Sequence, residues 1–242
     1  LQYIHSTHDH GISFSSRTEH DIHTYLRQRD ASDVEAYEDA IPPKPDCSHL
    51  LTTYSDACWG SQIGNSIRAG TLLPLFKFRS MSGAIVFRLG GDIAWKAICQ
   101  EQTSLSSCEA EIYATSKGSK LSVDVRNLAQ DFSRINSPLP DSTTATRVYN
   151  DNQSCVDWAN NLTTKGVHHI ELCKNRVREW VHCKTIQVLH VVGKCNPSDI
   201  FTKEMKDGAH FCRLHDLFMV AASKFKHSLL SAIYWRQLAC AL

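Results

Sequence analysis

No apolar run in this 242-residue sequence approaches the ~20 residues needed to cross a bilayer. Residues 1–15 carry His, Asp and Ser where a secretory leader is apolar. Membrane insertion and secretion are therefore not expected. There is also no excess of one charge. Lys and Arg number 26 against 25 Asp and Glu, a net charge of +1, so any surface for a polyanion has to be local. The ten cysteines are scattered, without a single C-x-x-C pair. This reads as reduced thiols in an intracellular protein rather than a disulfide framework. His210, Cys212 and His215 stand close together but lack a second pair to complete a zinc site; His5, His8 and His10 read as ordinary residues. No G-x-G-x-x-G occurs, and Gly90-Gly91 falls between two expected strands rather than before a helix, which argues against a nucleotide-binding oxidoreductase.

What is present is 42% hydrophobic residues, enough to bury a full core. Residues 1–48 are polar and end in Ile41-Pro-Pro-Lys-Pro-Asp46, an extended linker. After it, Leu50-Leu-Thr-Thr-Tyr-Ser55 predicts a strand running into Asp56. Residues 82–89 and 92–98, around Gly90-Gly91, predict a hairpin, giving three successive antiparallel strands. From 107 to about 135 there is no Pro, and Ala110, Ala114, Leu121, Val125 and Leu128 keep helical spacing, so one long helix is expected with Glu109 and Glu111 in its first turn. Residues 145–149 predict a short strand delivering Asn150-Asp151-Asn152. Helices follow at 155–160 and from about 169 to 183, then a β-branched strand at 186–192, then a helix opened by Pro197. Such an order gives a mixed sheet with helices packed on it, with its sites at the carboxyl ends of strands.

Four carboxylates fall at element ends: Asp56, Glu111, Asp151 and Asp199. Singly, each has an ordinary reading as a cap, a helix-start acid or an exposed loop residue. Together they suit hard divalent cations, which take oxygen ligands from a few carboxylates plus substrate phosphate. Two such ions ~3.5–4 Å apart activate water on one side of a phosphodiester and stabilise the leaving oxygen on the other.

Tyr54-Ser-Asp-Ala-Cys-Trp59, Leu105-Ser-Ser-Cys-Glu-Ala-Glu-Ile-Tyr-Ala114, Tyr149-Asn-Asp-Asn-Gln-Ser154 and Ser198-Asp-Ile-Phe-Thr-Lys203 resemble, in the same order, the ribonuclease H domain of copia-type retrotransposon Pol polyproteins. The segments 80–87, Ala94-Trp-Lys96 and His169-Ile-Glu171 are similar to that family as well, so the resemblance covers about 53–206. It implies an α/β fold, a ribonuclease H-like mixed five-stranded sheet flanked by helices. The implied activity is an endonuclease that hydrolyses the RNA strand of RNA·DNA hybrids by a two-metal mechanism. The implied catalytic and metal-ligating residues are Asp56, Glu111, Asp151 and Asp199, with Glu109 competing for the place of Glu111. Two Mg²⁺ ions, or Mn²⁺, are the implied cofactors, with no small-molecule cofactor. The implied partners are the hybrid and the reverse transcriptase portion of the same polyprotein, and the implied setting is a cytoplasmic virus-like particle with later nuclear entry.

The opening residues, Leu1 to Gly11, resemble the segment that ends the polymerase part, and the chain starts with Leu rather than Met, so a polyprotein fragment is expected. The expected division is 1–48 for the end of the reverse transcriptase region and linker, 49–206 for the ribonuclease H-like domain, and 207–242 for a helical extension. There, Phe211, Leu214, Leu217, Phe218 and Val220 keep helical spacing. The pattern departs from the family at Cys58, where a second Asp is usual, at the longer 60–79 stretch, and at Cys173 and Asn175, where Arg and His often stand. The loop at 193–196 is short and carries Lys194 rather than a histidine.

For gripping the hybrid, Ser106, Ser107, Asn150, Asn152 and Gln153 lie beside the acids and can reach phosphates or 2′-hydroxyls, or serve equally as caps and turn formers. Lys77, Arg79, Lys117, Lys120 and Arg126 read better as a solvated helix face than as a phosphate patch. Trp59, Trp95, Trp158 and Trp180 read as core or edge packing. Two other classes remain: a catalytically degenerate module of the same fold that binds nucleic acid or supports the polymerase, and a DNA-joining enzyme, disfavoured because its acids run Asp, Asp, Glu.

Overall fold

The computed structural model describes residues 10–12, 51–60, 79–88, 91–136, 144–161, 172–203, 205 and 207–221. The linker, Lys77, His169 to Glu171 and the tail beyond 221 lie outside these residues. The organising element is β2 (Thr52–Cys58), buried at every position but the last, as a strand covered on both faces must be. On one side it pairs antiparallel with β3 (Met81–Arg88), which pairs antiparallel with β4 (Gly91–Cys99). On the other it runs parallel to β5 (Thr146–Asn150), which runs parallel to β6 (Ile186–His190). The sheet order is β4-β3-β2-β5-β6: three consecutive antiparallel strands, as expected, with a parallel half added.

Alternation along the strands sorts side chains onto two cores. Tyr54, Ile85, Phe87 and Tyr149 face one side with Val191, Cys195 and Leu214, and Tyr54 lies between an edge-on Phe87 and a stacked Tyr149. Val148, Ile186 and Val188 face the other, under Ile112 of α1 (Ser107–Asn136), Val156 and Trp158 of α2 (Gln153–Asn160) and Val177 of α3 (Leu172–His182). Helix α1 comes close to β2 and β3 because Gly118 has no side chain; a Cβ there would stand 3.3 Å from the Cβ atoms of both Ala84 and Ser55.

Several sequence expectations need correction. Strand β2 does not end at Asp56 but runs on to Cys58, because β3 keeps pairing after β5 has ended at Ser55↔Asn150. Glu111 is the fifth residue of α1, so only Glu109 lies in the first turn. The segment opened by Pro197 is a short 3₁₀ turn, Pro197–Phe201. Leu128 is exposed despite its helical spacing, and so are Trp59 and Trp95, each more than half open to solvent (53% and 54%). Trp158 is buried as expected. Helix α4 (Gly208–Phe218) carries Phe211 and Leu214 as their spacing predicts, but Val220 lies beyond it in β7 (Met219–Ala221), which pairs antiparallel with β1 (His10–Ile12). The described cysteines form no disulfide, and no helix among the described residues is long and apolar enough to cross a membrane.

Candidate metal centre

The parallel register sets the site. Ser55 lies opposite Asn150, the last ladder position, so the next residues on the two strands, Asp56 and Asp151, emerge side by side at the carboxyl end of the sheet. With β5 finished, the Ser55 carbonyl has lost its strand partner. It accepts instead from the side-chain amides of Asn150 (3.2 Å) and Asn196 (3.0 Å), as a buried carbonyl requires. Asn150 also donates to Glu111 Oε2 at 2.9 Å, which ties α1 to the end of the sheet. As a result, one carboxylate oxygen from each of Asp56, Glu111 and Asp151 lies within 4.8 Å of the others.

Asp199 stands beside this trio on the 3₁₀ turn, whose cap is Asn196, accepting from Ser198 N. That turn lies directly on β3. Gly83, which pairs with Asp56, faces it so closely that a Cβ would meet Thr202 Cγ2 at 2.8 Å, Phe201 Cβ at 2.9 Å and the Ser198 carbonyl at 2.9 Å. Gly193 serves the same purpose next to Asp151, where a Cβ would approach Oδ2 at 3.1 Å. Thr202 donates its hydroxyl to Asp56 Oδ2. The Lys203 ammonium lies 2.7 Å from Asp199 Oδ1, 3.3 Å from Asp56 Oδ1 and 4.0 Å from Asp151 Oδ2.

Crowding like charges under partial burial raises the acids' pKa values. Burial, then the neighbouring Asp56, pushes Glu111 up to about 9, against the bonds from Asn150 and the Ala57 backbone. Asp199 is raised to about 7 by burial and Asp56, with Lys203 opposing. Asp151 is raised by the same two causes. Burial alone would lower Lys203, but Asp56, Asp199 and Asp151 outweigh it and hold the ammonium above the ordinary lysine value.

The two glutamates of the Glu-Ala-Glu motif part company. Glu109 turns to α3, pairing with Lys174 at 3.4 Å through Oε1 and accepting from Leu105 N at 2.7 Å through Oε2. Glu111 joins the aspartates. Of the residues expected to touch nucleic acid, Asn150 is fully buried and occupied with Ser55 and Glu111, because alternation turns it away from Tyr149. Asn152 caps α2 by accepting from Cys155 N, and Ser106 accepts from Glu109 N. Ser107 and Gln153 lie on the surface. The expected basic face is solvated or paired: Lys117 meets Glu101, Lys120 meets Asp124, and Arg126 donates to the Thr144 and Thr185 carbonyls. Sequence reading missed Lys203, Thr202 and Asn196. The signal for Lys203 was its place four residues after Asp199 on a turn, where side chains meet.

A mixed sheet in this order, carrying acids where two adjacent parallel strands stop pairing and on the helix packed across them, defines a ribonuclease H-like α/β fold. The chain is similar to a retrotransposon Pol polyprotein. Over 155 residues it is 26% identical to the retrovirus-related Pol polyprotein from transposon TNT 1-94 of Nicotiana tabacum, a match covering 64% of this chain and 10% of that protein. The chain therefore spans about a tenth of that relative's length. No family model matches. Among solved structures, the chain is similar to LC11-RNase H1 isolated from compost, at 12% identity, TM-score 0.39, and 64% and 93% coverage of the two chains. It is also similar to RNase H1 from Halobacterium salinarum, at 12% identity, TM-score 0.37, and 63% and 94% coverage. A third is the N-terminal RNase H domain of rv2228c from Mycobacterium tuberculosis, at 11% identity, TM-score 0.39, and 69% and 98% coverage.

Proposed function

We propose that the chain is a ribonuclease H that hydrolyses the RNA strand of RNA·DNA hybrids during retrotransposon reverse transcription. The observation that carries this reading is the meeting of Asp56, Glu111 and Asp151 oxygens within 4.8 Å of one another, at the open end of the sheet. Three carboxylates so placed repel one another and gain most from a divalent cation. The donor set fits Mg²⁺, with Mn²⁺ as a substitute: all oxygen, with Asp56 and Glu111 buried and Asp151 partly open toward an incoming phosphate. In this reading Asp56, Glu111, Asp151 and Asp199 hold the metal. When bound, two such ions supply an activated water and charge neutralisation at the scissile phosphate. The residues of the chain do the rest: Asn150 fixes Glu111, Thr202 orients Asp56, and the 3₁₀ turn brings Asp199 alongside. Water is the nucleophile, without a covalent enzyme intermediate.

The relationship to a Pol polyprotein supports this setting. In it, 49–206 is the nuclease domain, 1–48 the end of the reverse transcriptase region, and 207–242 an extension; the reverse transcriptase is the partner and a cytoplasmic particle the site of action. The test is cleavage of a labelled RNA·DNA hybrid with Mg²⁺ by the purified chain, beside Asp56→Asn and Asp151→Asn and with duplex RNA as control. Hybrid-specific cutting lost in both variants is the expected result. Cation binding without cutting would favour the second reading, a degenerate or polymerase-dependent module, which the substitution of Cys58 for the family's second Asp favours.

A further inference from the structure

Asp56 has both carboxylate oxygens engaged by consecutive residues of one turn: Oδ2 accepts from the Thr202 hydroxyl, and Oδ1 faces the Lys203 ammonium at 3.3 Å. The same ammonium holds Asp199 at 2.7 Å and approaches Asp151 at 4.0 Å. Its backbone is fixed by the turn that carries Asp199, since Lys203 N donates to the Asp199 carbonyl at 3.0 Å. The side chain is nevertheless 38% exposed, whereas Asp56 is 1% and Asp199 9% exposed. A positive charge on a flexible stem thus lies among three of the four proposed ligands, with solvent open behind it. Glu111, on the helix side, is held by Asn150.

We propose that Lys203 is an internal counter-cation filling the Asp56–Asp199 side of the centre, so that one divalent ion binds readily and a second binds only as the Lys203 ammonium swings out to solvent. This rests on the proposed metal reading and adds to it a lysine that sets the order and the cost of cation loading. An ammonium and a divalent ion compete for the same carboxylate oxygens, and at such separations their repulsion is substantial even in partly solvated surroundings.

The test is a calorimetric titration of the full chain with Mn²⁺, comparing the parent with Lys203→Gln and Lys203→Arg, alongside thermal melting without divalent cation. In the parent, two binding events are expected, the second about tenfold or more weaker, the scale of one competing unit charge ~4 Å away. Lys203→Gln is expected to tighten the second event by about tenfold, to change the first by less than about threefold, and to lower the cation-free melting temperature. Lys203→Arg should behave as the parent. Lys203→Met, read in the same way, repeats the test with a side chain that cannot accept a hydrogen bond. A second event unchanged or weakened in the neutral variants overturns the proposal and leaves Lys203 a structural residue. A single event in all the proteins also overturns it, while leaving the metal reading intact. No binding in any of them overturns the metal reading itself, and this proposal with it.

Discussion

Two regions of the molecule bring lysine and carboxylate together out of water, and they do so with opposite charge accounts. Between α1 and α3, one lysine meets one glutamate: Lys174 and Glu109, with side chains 3% and 11% exposed. Lys174 also lies over the ring of Tyr113. At the carboxyl end of the sheet, one lysine faces Asp56, Asp151 and Asp199, with Glu111 a fourth acid beside them. The first region is balanced and joins two helices. The second carries surplus negative charge that folding alone does not reward, and such surplus marks a functional site more often than a structural one. Two glutamates only two residues apart on one helix thus belong to different physical settings.

The largest expected effect comes from removing charge from the unbalanced region. Glu111→Gln keeps an acceptor for Asn150 while cutting hybrid cleavage by roughly 10²-fold or more, the scale of losing one electrostatic group at a reacting centre. The same change should raise cation-free stability at pH 9, because it relieves repulsion, and leave stability at pH 5 unaltered; melting temperatures at the two pH values check this.

The next effect comes from crowding the wall beneath the turn that carries Asp199. Gly83→Ala drives a Cβ into Thr202, Phe201 and the Ser198 carbonyl. It should cost about 1–3 kcal/mol in urea unfolding and weaken cleavage by shifting the turn that carries Asp199. In the balanced region, Lys174→Met should cost roughly 3 kcal/mol by stranding Glu109. The double change Lys174→Met, Glu109→Gln should recover most of that loss, with cleavage by the folded protein unchanged.

Titration supplies a further effect. Glu111 rises from 4.5 to about 9 and Asp199 from 3.8 to about 7 on folding. The folded state therefore holds protons that the unfolded chain has released. Cation-free stability should be full below the unfolded values and fall as pH rises through about 7 and then about 9. Divalent cation binding near neutral pH should release protons, seen as a binding enthalpy that depends on the ionisation enthalpy of the buffer. No proton release would contradict the raised values.

Strand and helix patterning made most of this fold legible. The Gly90-Gly91 hairpin, the long Pro-free helix and the β-branched strand before Pro197 each follow from local periodicity and turn chemistry, and each is where it was expected. What local pattern does not encode is where pairing stops. The run Leu50-Leu-Thr-Thr-Tyr-Ser55 reads as a strand ending at Asp56, whereas the end of β5 at Asn150, a long-range matter, is what opens the site on that side alone. The four acids could be named from motifs and their ordinary readings set aside only jointly. The inward turn of Asn150 and the bridging position of Lys203 depend on strand alternation and on a 3₁₀ turn lying against Gly83, neither of which a motif displays.

The central claim is that the acid cluster is a divalent cation centre, and thermal melting of the chain with and without Mg²⁺, beside Asp56→Asn, tests it most directly. At a cation concentration of about 100 times Kd the parent should gain ~2.7 kcal/mol, a rise of roughly 5–10 °C for a domain of this size, while Asp56→Asn should gain little. A parent that does not respond to Mg²⁺, or an Asp56→Asn variant that responds equally, would contradict the account.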